Sequence, residues 1–211
     1  MPLETIEHQT GDSPVATLIV LHGLGADGND FVPICEELDL SAVGPVRFVF
    51  PHAPVMPVTL NGGMRMRAWY DILGTDLARR EDEPGLRAAQ AEVEALIARE
   101  ESRGIAPERV VLAGFSQGCA MALLTGLRHA KRLGGIAALS GYLPLAASTA
   151  GERHPANQAT PIFMAHGQHD PVVTVERGKA SRDALAALGY GVEWREYTMP
   201  DSVWPEEISH L

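Results

Sequence analysis

The chain predicts an α/β fold: a central, mostly parallel sheet with helices on both faces. Three observations carry that expectation. Short apolar runs alternate with longer amphipathic stretches, the pattern of βα units. The short runs are apolar along their length, as strands covered on both faces require. One of them also leads through a glycine-flanked turn straight into a helix-forming segment.

The expected strands are Ala16 to Leu21, Val46 to Phe50, Val110 to Ala113, Ile136 to Ser140, Pro161 to His166 and Val192 to Tyr197. The clearest helices are Gly85 to Arg103 and Gly118 to His129. In the first, Leu86, Ala89, Val93, Leu96 and Ile97 recur at helical spacing with charges between them. A third, Val175 to Leu188, stops at Gly189, a residue suited to ending a helix. Between Pro51 and Pro84 the chain has little periodicity and several Pro and Gly residues. It reads as a long functional loop lying over the site.

The 211 residues are expected to form one domain over 1–211, long enough to bury a substantial core. Hydrophobic residues at 45% and charged residues at 21% fit an ordinary soluble globular protein. Seventeen Lys and Arg against 27 Asp and Glu give a net charge of −10. That balance disfavours nucleic acid as a partner, because phosphates need clustered cations. It equally disfavours polybasic attachment to anionic lipid. No segment approaches the roughly 18 to 20 apolar residues that span a bilayer, so stable membrane insertion is not expected. The polar start Met1-Pro2-Leu3-Glu4 is unlike a secretory signal, and Cys35 and Cys119 read as free thiols. Both point to the cytoplasm.

The strongest chemical signal is Gly114-Phe115-Ser116-Gln117-Gly118. G-x-S-x-G alone is modest. Here Arg109 to Ala113 reads as a strand immediately before it, and Cys119 to Leu124 as a helix immediately after, the setting a nucleophile elbow requires. Such a turn lifts the serine hydroxyl clear of the sheet and places it at a helix N-terminus, which favours developing negative charge. Its flanking small residues let chain segments approach closely. A second glycine-rich segment, Leu21-His22-Gly23-Leu24-Gly25-Ala26-Asp27-Gly28, follows a strand and can present backbone N–H groups to an oxyanion. It lacks the Lys-Ser/Thr ending of a phosphate-binding loop. In hydrolases of this plan one donor follows the nucleophile and another comes from such a loop, which nominates the amides of Gln117 and Leu24.

These segments resemble the acyl-protein thioesterase and bacterial carboxylesterase (phospholipase/carboxylesterase) family of α/β-hydrolases. Further matching segments are Phe50-Pro51-His52-Ala53-Pro54, Pro57 to Gly63 with Met66 to Asp71, His166-Gly167-Gln168-His169-Asp170-Pro171-Val172-Val173, and Pro205-Glu206-Glu207-Ile208. They follow the family order over nearly the whole chain. The resemblance implies an α/β-hydrolase fold with Ser116 as nucleophile, Asp170 as triad acid and Leu24 and Gln117 as oxyanion donors. It implies short- to medium-chain acyl esters, thioesters or lysolipids as substrates, no cofactor, and frequent homodimers. The Pro57 to Asp71 stretch would border the acyl pocket, with Met66 and Trp69 there as substrate-binding residues or as members of the core.

The triad should finish Ser, Asp, His. The family places histidine in a loop reading approximately Met-Gly-His-Ser-Val before Pro-Glu-Glu-Ile, whereas this chain has Met199-Pro200-Asp201-Ser202-Val203-Trp204-Pro205. Asp201 stands where the catalytic base belongs. An aspartate titrates near 4 in water and accepts a proton poorly at pH 7, so severe impairment is expected. His210, His166, His169, His22 and His52 offer no obvious substitute. By comparison with the family, His22 supports the shape of the oxyanion loop and His52 packs beneath the site loops. Cys119 stands where relatives often have Gly and reads as a small packed residue. The chain stops at Leu211, where relatives continue a terminal helix, so a shortened C-terminal helix is expected. Two readings follow: a serine carboxylesterase weakened at its base, or a non-catalytic acyl-ligand-binding protein on a hydrolase fold. No metal site is expected, since no H-E-x-x-H or Cys/His cluster is present.

Overall fold

A computed structural model describes residues 2–75 and 80–198. Seven strands form one sheet in the order β1-β3-β2-β6-β7-β8-β9. These are β1 Thr5–Gln9, β2 Ala16–Leu21, β3 Val46–Pro51, β6 Val110–Phe115, β7 Gly135–Leu139, β8 Ile162–Gly167 and β9 Val192–Tyr197. Only β1 runs antiparallel, pairing with β3; the other neighbours are parallel. The six expected strands are all present, within one or two residues at their ends.

Alternation along the strands divides the core in two. Ile19, Leu21, Val49, Leu112, Ile136 and Ala138 face one side, where they pack with α2 (Glu83–Ser102) and α3 (Gln117–Arg128). Leu18, Val20, Phe48, Phe50, Ala113 and Ala137 face the other side, joined by Ile34 of the short helix α1 (Ile34–Glu37). Helices therefore lie on both faces, as expected. The remaining helices are α4 (Ala146–Glu152) and α5 (Val175–Ala187). The beginning of α2 has a local cause. The Asp82 side chain accepts the Gly85 N–H at 3.1 Å, and Pro84 sits in the first turn, where its missing N–H costs nothing. One buried polar knot ties the sheet to α2: Glu100 accepts from Arg47 at 2.6 Å and from Thr17 at 2.8 Å.

One expectation is corrected. The stretch from Pro51 to Pro84 is not one long loop, because β4 (Val55–Val58) and β5 (Met64–Arg67) pair within it as an antiparallel hairpin. Its turn carries Gly62 and Gly63 at φ 67° and 80°, a conformation glycine adopts at no steric cost. The edge strand β1 and helix α4 were not anticipated.

The parallel strands end along one edge of the sheet. Leu21 of β2 lies beside Gly114 of β6, and Gly167 of β8 beside Tyr197 of β9. In open α/β sheets ligands assemble outside these carboxyl ends.

Candidate active site

Ser116 occupies the junction between β6 and α3 with φ 53° and ψ −113°, a backbone conformation that side-chain-bearing residues rarely adopt. Its N–H donates to Leu139 O at 2.9 Å, and its own carbonyl accepts from Ala120 at 3.2 Å. The glycines around it are a packing requirement. A Cβ on Gly114 would lie 2.1 Å from Gly118 O, and one on Gly118 would lie 2.0 Å from Leu21 O. Both obstacles are backbone and cannot rotate away. Gly118→Ala is therefore expected to destabilise the fold by about 3 kcal/mol, at the upper end of overpacking costs. Urea unfolding of the variant, read as a lower midpoint at unchanged slope, checks this.

Ser116 opens into a cavity of about 450 Å³ whose wall also includes Leu24, Leu60, Tyr70, Ile72, Gln117, Tyr142, Val172 and Val173. Leu24 and Gln117 thus line the same cavity as the serine. Gln117 is the first residue of α3, so its N–H has no acceptor within the helix. Among the described residues no acceptor takes the Leu24 N–H.

Met66 and Trp69 are not on this wall. Trp69 is only 1% exposed, within the core, and Met66 lies against the glycine-rich loop after β2, its sulfur 3.8 Å from where a Gly25 Cβ would sit. The wall is formed instead by Tyr70, Ile72, Leu60, Tyr142 and the two valines after Asp170. Tyr70 adjoins Trp69 in sequence, and Val172 and Val173 stand in a motif already singled out. The two tyrosine hydroxyls bond each other at 2.9 Å. Burial pushes both phenols up, Tyr142 to about 12, so both stay protonated at neutral pH.

The glycine-rich loop after β2 is held by a polar chain. Ala53 N–H donates to His22 Nε2 at 3.0 Å, which makes Nε2 the acceptor and leaves the proton on Nδ1. Nδ1–H then donates to Gly23 O at 2.7 Å. Trp69 Nε1–H donates to the His22 carbonyl at 2.8 Å. The expected shape-supporting role of His22 has this geometric form. His52 receives the Gly28 N–H at 3.1 Å on the same loop.

Burial is the main influence that lowers the His22 pKa, with the Gly23 hydrogen bond opposing it. The unfolded chain takes up a proton below about pH 6.5 more readily than the folded ring does. The stability His22 contributes is thus complete above that pH and is lost as the pH falls toward its depressed folded value. Long-range ¹H–¹⁵N spectra of the ring are expected to show a neutral Nδ1–H tautomer persisting below about pH 6.5, where a free imidazole is mostly charged.

Asp170 follows β8 and is 5% exposed. Its Oδ1 accepts from Val172 N at 2.8 Å and Val173 N at 2.9 Å. Oδ2 is buried without a hydrogen-bond partner among the described residues, and His166 Nε2 is 3.6 Å away from it. His166 is committed elsewhere, its Nε2 lying 2.6 Å from Val173 O. Cys119 is buried behind the elbow; a Cβ on Gly141 would meet its sulfur at 2.5 Å. Asp201 lies outside the described residues.

A strained serine between strand and helix, beside a glycine-rich loop at the carboxyl edge of a parallel sheet, is matched by a family model described as Phospholipase/Carboxylesterase, over residues 4–211. The chain belongs to that phospholipase/carboxylesterase family. It is 44% identical over 205 residues to acyl-protein thioesterase 1 of Gibberella zeae, covering 93% of this chain and 87% of that protein. It is 42% identical over 221 residues to the protein of the same name from Mycosarcoma maydis, covering 98% and 92%. Among solved structures, Arabidopsis thaliana SOBER1 superposes with a TM-score of 0.86 at 34% identity, covering 92% of this chain and 93% of that one. Zea mays acyl-protein thioesterase 2 gives 0.84 at 29% identity, covering 97% and 94%. The α/β-hydrolase fold and the family resemblance read from the motifs are thereby borne out, and this phospholipase/carboxylesterase relative is a serine hydrolase.

Proposed function

We propose that this chain hydrolyses short- to medium-chain carboxylic esters or acyl thioesters through an acyl-enzyme on Ser116. The observation that carries the reading is the positive-φ serine opening into a largely apolar cavity of about 450 Å³. An aliphatic acyl chain fits such walls by burial alone. The relatives' name, acyl-protein thioesterase, brings thioesters into the substrate class.

In this reading Ser116 Oγ attacks the carbonyl carbon while a base takes its proton. The oxyanion that forms faces the N–H groups of Leu24 and Gln117. Collapse expels the alcohol or thiol, which leaves with the proton, and water then repeats the sequence on the acyl-enzyme. Asp170 is the acid that orients the base. Its Oδ1 is anchored by two backbone amides, and its Oδ2, without a hydrogen-bond partner among the described residues, could receive the N–H of an imidazole at position 201. The base position is residue 201, four residues beyond Tyr197, within about 14 Å of extended chain. With aspartate there turnover is slow, because a carboxylate accepts the serine proton poorly at neutral pH.

That substitution is also the one observation favouring the second reading, an acyl-ligand-binding protein without turnover. Hydrolysis of p-nitrophenyl butyrate by the chain, Asp201→His, Ser116→Ala and the double variant separates the two. Gain with histidine that vanishes without Ser116 supports the esterase. A folded Asp201→His chain with no turnover supports the binding protein.

A further inference from the structure

Trp69 reaches both halves of the proposed oxyanion site without touching the cavity. Its backbone N–H donates to Gln117 Oε1 at 2.8 Å, and its indole Nε1–H donates to His22 O, also at 2.8 Å. Both bonds are buried. The far end of the Gln117 carboxamide donates to Tyr70 O at 2.7 Å, so the glutamine side chain is clamped across the Trp69–Tyr70 peptide. On the other side the His22 ring grips Gly23 O, the carbonyl of the same peptide unit whose N–H belongs to Leu24. The imidazole and indole rings lie 5.3 Å apart between centroids, in contact as well as bonded through the chain.

We infer that Trp69 is a positioning residue that sets the separation between the two oxyanion donors by cross-linking the nucleophile elbow to the glycine-rich loop. The inference rests on the proposed oxyanion role of the Leu24 and Gln117 amides. The two amides belong to different crossovers, one after β2 and one after β6, and within this network Trp69 bonds to both segments, through its indole to the His22 carbonyl and through its backbone N–H to the Gln117 side chain. Oxyanion donors act on charge that develops in the transition state and need heavy-atom distances of about 2.7–3.1 Å to where that oxygen will be. A small relaxation of the loop therefore weakens transition-state binding and leaves ground-state binding nearly unchanged. The Gly23 bond adds to this, since loading a carbonyl strengthens the N–H donor of the same peptide.

The test is Trp69→Phe, which removes the indole N–H and keeps an aromatic ring and the backbone bond to Gln117. It is made in the chain as it stands and beside Asp201→His, where turnover is easier to measure. The expected result with p-nitrophenyl butyrate is a fall in kcat of about tenfold, a fraction of the roughly 10²–10³ lost when a whole donor is deleted. KM stays within about twofold, and a trifluoromethyl ketone, whose serine adduct carries the oxyanion, weakens in parallel with kcat/KM. Unchanged kcat and ketone affinity overturn the inference, even if the melting temperature drops, because packing alone then accounts for the residue. If Trp69→Phe does not fold, Gln117→Met cuts the other end of the cross-link, the carboxamide bonds to the Trp69 N–H and the Tyr70 carbonyl, while keeping the Gln117 N–H. Loss of kcat there upholds the inference, and retention overturns it. Turnover that survives Ser116→Ala overturns the esterase reading itself, and the inference with it. The Ser116 control therefore separates the two failures.

Discussion

Asp201→His raises the turnover of p-nitrophenyl butyrate by about 10³-fold or more, and Ser116→Ala abolishes the gain. The magnitude follows from what a triad base supplies. Losing one member of such a unit costs on the order of 10⁶, and a carboxylate standing in for the imidazole recovers only part of it. Histidine matches the operating pH, so its neutral form is abundant while its proton affinity is still useful. The direction with pH follows: kcat/KM of the variant rises as the ring loses its proton, with a midpoint near 6.5 before its surroundings shift it. The parent chain has no such imidazole step in its profile. Stopped-assay rates from pH 5 to 9 for the two proteins provide the comparison.

Asp170→Asn lowers kcat/KM of the Asp201→His form by about 10⁴-fold, the scale of loss when a triad aspartate becomes its amide. Geometry explains why so small a change costs so much. Asp170 Oδ1 is already occupied by the amides of Val172 and Val173 at 2.8 and 2.9 Å, so in the variant the amide oxygen takes that place. The amide nitrogen is then turned to where Oδ2 stood, and it meets a ring N–H donor with another donor. The imidazole either turns away or adopts the tautomer that cannot accept the serine proton. In the parent chain the same substitution changes the rate by less than about tenfold, since no imidazole is there to be oriented. Steady-state kinetics of the four combinations expose this dependence of one substitution on the other.

The central strands were legible because they are apolar on both faces: Ile19, Val20 and Leu21, or Phe48, Val49 and Phe50, leave little else to be. Strand β1 was not, because its sequence Thr5-Ile6-Glu7-His8-Gln9 is that of a half-exposed edge, with Glu7 tied to Arg99 and Arg103. The β4–β5 hairpin is disguised by Pro57 and by Arg65 and Arg67, although the pair Gly62-Gly63 is a known hairpin signal that could have revealed it. At the site, Ser116, Gln117 and Leu24 were readable from local motifs, because a turn followed by a helix fixes what its residues face. The cavity wall was not. Trp69 and Tyr70 are adjacent, yet the indole is spent on a buried hydrogen bond while the phenol reaches the wall. A one-residue difference of this kind is set by tertiary contacts, which composition and spacing do not encode.

The backbone contacts behind Ser116 bear on how the family motif is to be interpreted in evolutionary terms. Gly114, Gly118 and Gly141 each leave no room for a methyl group against neighbouring atoms. Selection for folding alone would keep all three, whether or not the protein ever turned over a substrate. Ser116 is different, for its hydroxyl is not what holds the turn, and its positive φ suits glycine better than serine. In a lineage that had abandoned catalysis the glycines would persist as fossils of packing while the serine drifted. Ser116, rather than the glycines that make the motif conspicuous, is therefore the residue of the motif whose presence packing does not explain.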